Sequence, residues 1–376
     1  MKRILVWDIP TRLFHGLLAA SFAIAWLSSE SDQWLSVHVF FGYLMLGLIG
    51  FRLIWGFVGG RYARFASFRY SPLAGWIYLR EVLGGHARRY VGHNPAGSQA
   101  IYLLLALGLA VGLSGIFTLG GEEQQGVAAG LTSIAVGQVF KEVHEIAATL
   151  MLLIVIGHIA GVVLESWLHK ENLPRSMVTG IKEGAQEMPA SRAYGLVGIL
   201  LVLSVALFGV WWFFYALSPY LIPSKADNGT PQVAFVGAKL PDNLQWREEC
   251  GSCHLAFHPN LLPARSWRKL MAEQNQHFGS DLALDAPTRQ NLLAFMESSS
   301  AERSKTEAAF KINRSLKNGA TPLRITETPY WVKKHKEITK TVWQFPQIKS
   351  TANCAACHQD AELGTFEDAA MRIPKI

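Results

Sequence analysis

The sequence predicts an all-α protein in two parts: a bundle of transmembrane helices followed by a polar, mainly helical domain. Three observations predict this. Residues 1–224 contain five long stretches without Asp, Glu, Lys or Arg, while residues 225–376 are polar and rich in Lys and Glu. Half of the chain is apolar and only 17% is charged, against roughly a quarter in soluble domains. The length of 376 residues accommodates one membrane domain and one soluble domain. This pattern excludes a single soluble globule, a disordered chain and a collagen-like chain. The formal net charge is +7, but the basic residues of the first half sit between apolar runs, so nucleic acid is a poor explanation for it. The 4 cysteines all lie in the polar half, too few for a disulfide-dense scaffold.

The charge-free stretches are Leu13–Ser29, Gln33–Phe51, Tyr90–Gly121, Ile146–Leu164 and Ala193–Ser224. Each can supply, with its flanks, the ~20 residues that cross a ~30 Å hydrocarbon core. Inside a bilayer such a segment satisfies its own backbone hydrogen bonds as a helix. The first follows Lys2 and Arg3 as a signal peptide would, but more spans follow it, so it is read as retained. With five spans, one set of alternate loops carries 14 basic residues and the opposite set only Lys141, beside several Glu and Asp. Basic loops stay cytoplasmic, which places the N-terminus inside and everything after Ser224 outside. Gln124–Phe140 and Pro72–Leu83 are too short to span and are expected to lie at the two surfaces. Trp26, Trp34, Trp55, Trp211 and Trp212 fall near span ends and read as interfacial anchors.

Ionisable residues inside spans are costly and mark function. The candidates are His15, His38, His144 and His158. His144 and His158 are 14 residues apart, nearly four whole turns, so they project from one helix face about 21 Å apart along the axis. Depth then pairs His15 with His158 toward the inside and His38 with His144 toward the outside. Two imidazoles facing each other across a bundle core suit a six-coordinate haem iron, which predicts two haems b. Gly16, Gly42, Gly157 and Gly161 would let a flat macrocycle approach. His86, His93 and His169 read as cytoplasmic surface or supporting residues. Arg12, Arg52 and Arg61 either bind propionates or enforce topology. Lys141, Glu142 and Glu145 are either proton-handling groups or a solvated helix start.

The segments VWDIPTRLFHG (residues 6–16), WLSVHVFFGY (34–43), FRLIWGFVGGRYARF (51–65), GHNPAG (92–97), KEVHE (141–145) and GHIAGVVLES (157–166) together resemble the bacterial cytochrome b561 family, in its hydrogenase-type branch. The resemblance covers about residues 1–190. It implies a four-helix haem b core exchanging electrons with membrane quinone. The fifth helix, at 191–218, lies outside that core and reads as a tether.

In the polar half, Cys250-Gly-Ser-Cys253-His254 and Cys354-Ala-Ala-Cys357-His358 are two complete C-x-x-C-H motifs. Each offers two thiols for thioether bonds to haem and an adjacent His for the iron. A zinc site would bring its C-x-x-C pairs ~15–20 residues apart; here 100 residues intervene. Two covalent haems c are therefore predicted. A sixth ligand could come from His258, His277 or His335, with Met271, Met296 and Met371 as rivals. His258 follows His254 too closely to reach the far side of the same haem. His277 follows a plausible amphipathic helix at Ser266–Gln276, and His335 sits in a basic segment that could equally be a solvated face. Which distal His serves which haem is not legible at this level.

This half resembles the dihaem cytochrome c family, on CGSCHLAFHPNLLPARSW (250–267), HFG (277–279), RIT (324–326) and NCAACH (353–358). That resemblance, over about residues 240–376, implies bis-His ligation by His254, His277, His335 and His358. The expected whole is a four-helix transmembrane haem b bundle with a fifth transmembrane tether helix, then a mainly α-helical periplasmic dihaem cytochrome c domain. Its expected segments are 1–190, 191–218, a linker at 219–240 and 241–376. The expected activity is electron transfer in the bacterial inner membrane, from quinol to a periplasmic cytochrome c or other redox protein. The alternatives are a subunit passing electrons from a periplasmic dehydrogenase to quinone, and a superoxide or ferric oxidoreductase. A dimer or a larger complex is compatible with either half.

Overall fold

The computed structural model describes residues 2–30, 34–123, 125–129, 131–184, 189–216, 224–225, 231–232, 240–367 and 370–371. The chain divides into two compact units. One comprises 1–118 with 139–217, and the other comprises 119–138 with 218–376. Most of the expected linker at 219–240 lies outside the described residues.

The first unit is built on β1 (Lys2–Leu5), α1 (Ile9–Leu27), α2 (Leu35–Val58), α3 (Pro72–Leu83), α4 (from Pro95), α5 (to Leu168), α6 (Leu173–Thr179), β2 (Ile181–Gly184) and α7 (Gly195–Trp211). Local chemistry sets the helix starts. Asp8 caps α1 by accepting from the Thr11 amide at 2.9 Å, with Pro10 in the first turn. Ser71 and Asn172 cap α3 and α6 in the same way, each ahead of a proline, where the missing N–H costs nothing. Gly180, at φ +82°, ends α6, and its carbonyl accepts from the Val6 and Trp7 amides. The strands β1 and β2 then pair antiparallel, Lys2 opposite Gly184. This ribbon had no clear sequence signal.

Among the described residues four helices are long and apolar enough to cross a membrane: Leu35–Val58, Pro95–Glu122, Ile134–Leu168 and Gly195–Phe214. Five crossings are expected from the charge-free runs. Among the described residues α1, with 19 residues, falls outside this set, because Pro10, Thr11, Arg12 and His15 dilute its apolar character. It nevertheless packs in the same core, where Phe14 and Phe22 meet Leu48 and Ile49 of α2, Leu105 of α4, Met151 of α5 and Leu201 of α7. The last helix is thus more than a tether. Ile9 lies where a Cβ on Gly198 would come within 2.6 Å, and Phe208 stacks on Phe40 at 5.2 Å. Small residues allow this close approach, since lipid tails leave packing as the main attraction between spans. Trp55 is also not an interfacial anchor. It is 5% exposed and its indole N–H points at the Asp8 carboxylate, 3.3 Å away.

The second unit holds α8 (Leu244–Gly251), α9 (Ala264–Ala272), α10 (Ala286–Ser298), α11 (Glu307–Ser315), α12 (Pro329–His335) and α13 (Lys340–Trp343). The helix expected at 266–276 breaks after Ala272 into a 3-10 turn, Gln274–Gln276, and so delivers His277 from a turn. Asn243, Asp285, Thr306 and Thr328 cap their helices. The core gathers Trp246, Leu262, Trp267, Met271, Leu292 and Met296. Two of the rival methionines are therefore core packing. Met371 bridges to the His358 backbone.

Candidate functional site

Eight histidines come together as four pairs. The rings of His15 and His158 lie 6.5 Å apart between centroids, and those of His38 and His144 lie 5.9 Å apart. In the second unit His254 and His277 lie 6.3 Å apart, and His335 and His358 lie 6.2 Å apart. Two imidazoles bound on opposite sides of one metal through bonds of ~2 Å hold their centroids roughly 6.3 Å apart. All four separations fall close to that distance. Among the described residues no three His, Cys, Asp or Glu side chains converge as a metal site. A centre with only two protein ligands is what an equatorial macrocycle requires.

Backbone carbonyls orient several of these rings. His38 Nδ1 lies 2.8 Å from Ala25 O, His144 Nδ1 2.9 Å from Val111 O, and His335 Nδ1 2.9 Å from Trp331 O. A carbonyl can only accept, so Nδ1 carries the hydrogen and Nε2 keeps its lone pair for a metal. His254 does likewise with Leu255 O at 2.7 Å. Space is also present in the bundle. A Cβ on Gly16, Gly42, Gly157 or Gly161 would meet no atom within 4 Å. The residues present thus fit haem at each pair.

In the second unit, burial lowers the pKa of His277, His335 and His358, keeping the imidazoles neutral and able to ligate. Burial likewise pushes the Cys250 and Cys354 thiols up to about 11. Both are therefore protonated thiols in this fold. The four cysteines are unbridged and free for thioether formation.

His258 does not join a pair. It is 3% exposed; its Nδ1 accepts from the Asn260 amide, and its Nε2 donates to Pro241 O at 2.9 Å. Both nitrogens are in use, so its role is to hold the chain under Trp246 and Phe295. Burial, first of all, lowers its pKa. The unfolded chain therefore takes up this proton before the folded one does. Its contribution to stability is complete above pH ~6.5 and is lost as pH falls below that value. Acid melting of the second unit should flatten in His258→Gln, measured as midpoint against pH on the holoprotein. An unchanged slope would assign the acid sensitivity elsewhere.

Other expectations change with packing. Of the two readings of His93, surface or supporting, packing favours the second: its ring lies between Trp7 at 4.7 Å and Phe68 at 4.3 Å, and its Nδ1 is buried without a hydrogen-bond partner. Arg52 is 3% exposed, donates to Ala63 O, and keeps Nη1 buried and unpaired, whereas Arg61 is exposed. Lys141, Glu142 and Glu145 lie on the surface. The main residues missed from sequence are Trp331 and Trp343. Trp331 stacks on His335 at 4.2 Å, and Trp343 sits 6.1 Å from the same ring. The spacing from Trp331 to His335 is one helical turn, a signal that was available.

Comparison with known proteins finds a different family on each part of the chain. The family described as Prokaryotic cytochrome b561 matches residues 6–180, and the family Dihaem cytochrome c matches residues 246–366. A Rhodobacter capsulatus protein described as a probable Ni/Fe-hydrogenase B-type cytochrome subunit is 23% identical over 210 residues, 46% of this chain and 79% of that protein. The dihaem cytochrome c structure from Rhodobacter sphaeroides is 38% identical, covering 34% of this chain and all of that one, with a TM-score of 0.31. The dihaem cytochrome c of Shewanella baltica is 30% identical, covering 36% and 97%, with a TM-score of 0.29. Residues 6–180 thus match the prokaryotic cytochrome b561 family and residues 246–366 the dihaem cytochrome c family, the make-up of a b-type cytochrome membrane electron-transfer protein with a dihaem c domain.

Proposed function

We propose that this protein oxidises membrane quinol and delivers the electrons to a redox protein in the periplasm. The observation that carries the reading is the set of four histidine pairs, each with a separation suited to bis-His haem. In this reading His15 with His158 and His38 with His144 hold two haems b. His254 with His277 and His335 with His358 ligate two haems c, bound through Cys250, Cys253, Cys354 and Cys357. Haem, when bound, supplies one-electron exchange; the protein sets ligation, spacing and polarity. With both axial positions taken by His, each centre is suited to electron transfer rather than to binding a substrate at iron. The segments 1–190, 191–218, 219–240 and 241–376 are the membrane domain, last span, linker and periplasmic domain. The 14 basic residues in alternate loops support a cytoplasmic N-terminus.

The test is to add quinol to the purified holoprotein and follow the b and c α-bands by stopped flow. The b band should rise first and the c band after it. If quinol never reduces the c centres, the reading fails. A second reading is favoured by the likeness to a hydrogenase subunit: a periplasmic dehydrogenase would supply the electrons and quinone would receive them. Co-purification of a dehydrogenase, with reduction of the c centres before the b centres, would select it.

A further inference from the structure

We infer that the face around the His335–His358 pair docks a soluble redox protein with an acidic surface. This rests on the electron-transfer reading above but not on the direction of the current.

The second unit has two ligand pairs, and their surroundings carry opposite charge. Lys333 and Lys336 are exposed on either side of His335, and Lys340 and Lys349 are exposed in the segment leading to Cys354. Two exposed acids stand against them: Glu337, 3.8 Å from Lys336 with both side chains largely in solvent, and Glu362, four residues after His358. Counted against the exposed lysines, these acids still leave the face basic. The His254–His277 pair is flanked instead by exposed Glu248, Glu249, Glu273 and Asp281. Its nearby arginines are each matched by a further acid, Arg247 by Asp242 at 2.6 Å and Arg324 by Glu327 at 3.5 Å, with Arg324 also over the Phe278 ring at 4.1 Å, and exposed Lys269 is outnumbered by the acids. A partner bearing negative charge is therefore drawn to one pair and repelled from the other.

The composition of the basic face favours a protein over a membrane surface. Val332 is 52% exposed and shares a helix face with Lys336, one turn on. An apolar centre within a charged rim is the anatomy of a protein interface. A helix that lies on lipid buries a broad apolar face, and α12, with 7 residues, offers only Val332 as an exposed large aliphatic side chain. His335 and His358 are themselves partly accessible, so a partner docked here lies beside the ligands.

The full holoprotein, in phosphatidylcholine nanodiscs and reduced by dithionite, is mixed with an acidic or a basic small cytochrome c, and its reoxidation is followed by stopped flow. With the acidic probe the second-order rate should fall tenfold or more between about 20 mM and about 500 mM salt. The triple variant K333E/K336E/K340E should lose a similar factor at low salt, with unchanged haem spectra and content. The basic probe should show neither effect. Three results overturn the inference: no salt dependence, the same loss from E248K/E249K instead, or salt dependence seen only in phosphatidylglycerol nanodiscs, which would assign the lysines to lipid. Dithionite bypasses quinol, so failure of the quinol reaction leaves this outcome readable, and the converse also holds.

Discussion

On the proposed ligation, His158→Leu should remove one b centre and leave the other spectrally intact. His15→Leu should give the same spectrum, because its ring lies opposite that of His158 at 6.5 Å. His144→Leu and His38→Leu should instead remove the second centre together. The effect is all-or-none for a centre, since each has only two protein ligands and Leu offers no lone pair. Pyridine haemochrome analysis should return about one haem b per chain in each single variant, and about none in His144→Leu/His158→Leu. The c-type content should be unchanged, because thioether attachment depends on residues of the other unit. A potentiometric titration provides the second readout: one b-type wave should vanish in each variant. If His15→Leu and His144→Leu lost the same wave, the pairing by depth would be wrong.

The second large effect concerns potential. His277→Met and His335→Met should each raise the midpoint of one c centre, by on the order of 0.1–0.2 V. This is a fraction of the ~0.8 V span that axial ligands command, and Met–His ligation raises the potential relative to bis-His. The two substitutions should act on different centres. His277 faces His254, while His335 faces His358. Each should also add a sulfur-to-iron charge-transfer band in the oxidised spectrum. The His335 centre has a further lever, because its Nδ1–H is held by the Trp331 carbonyl and its ring is stacked by that indole. Trp331→Ala keeps the carbonyl but frees the ring, so a change in ligand-field spectrum without loss of haem would identify Trp331 as a positioning residue.

Much of this protein is legible before folding. The C-x-x-C-H motifs offer four thiols and two candidate proximal ligands at once, because covalent haem attachment needs those residues side by side in the chain. The 14-residue spacing of His144 and His158 is equally local: one helix repeats every 3.6 residues, so both rings must share a face. The charge-free runs locate the spans by composition. At the margin the same reasoning weakens. Helix α1 carries Arg12 and His15 and falls short on apolarity, yet its Phe14 and Phe22 are core residues. Trp55 was misplaced, and His93 left between two readings, because hydropathy ranks a residue by type. The Asp8 carboxylate that meets Trp55 and the Trp7 and Phe68 rings that flank His93 come from other parts of the chain.

The sequence by itself determined the class of the protein, the cysteines and proximal histidines, and the candidate histidines inside the spans. These follow from composition and from spacings within a single helix or motif. Tertiary structure alone placed His277 opposite His254 and His335 opposite His358. It also withdrew His258 from ligation, packed the last span against α1, and joined the N-terminus to residues 181–184 as a ribbon. Each of these depends on which distant segments come to lie side by side. That outcome is set by the packing of whole elements around two cores, which no local spacing encodes.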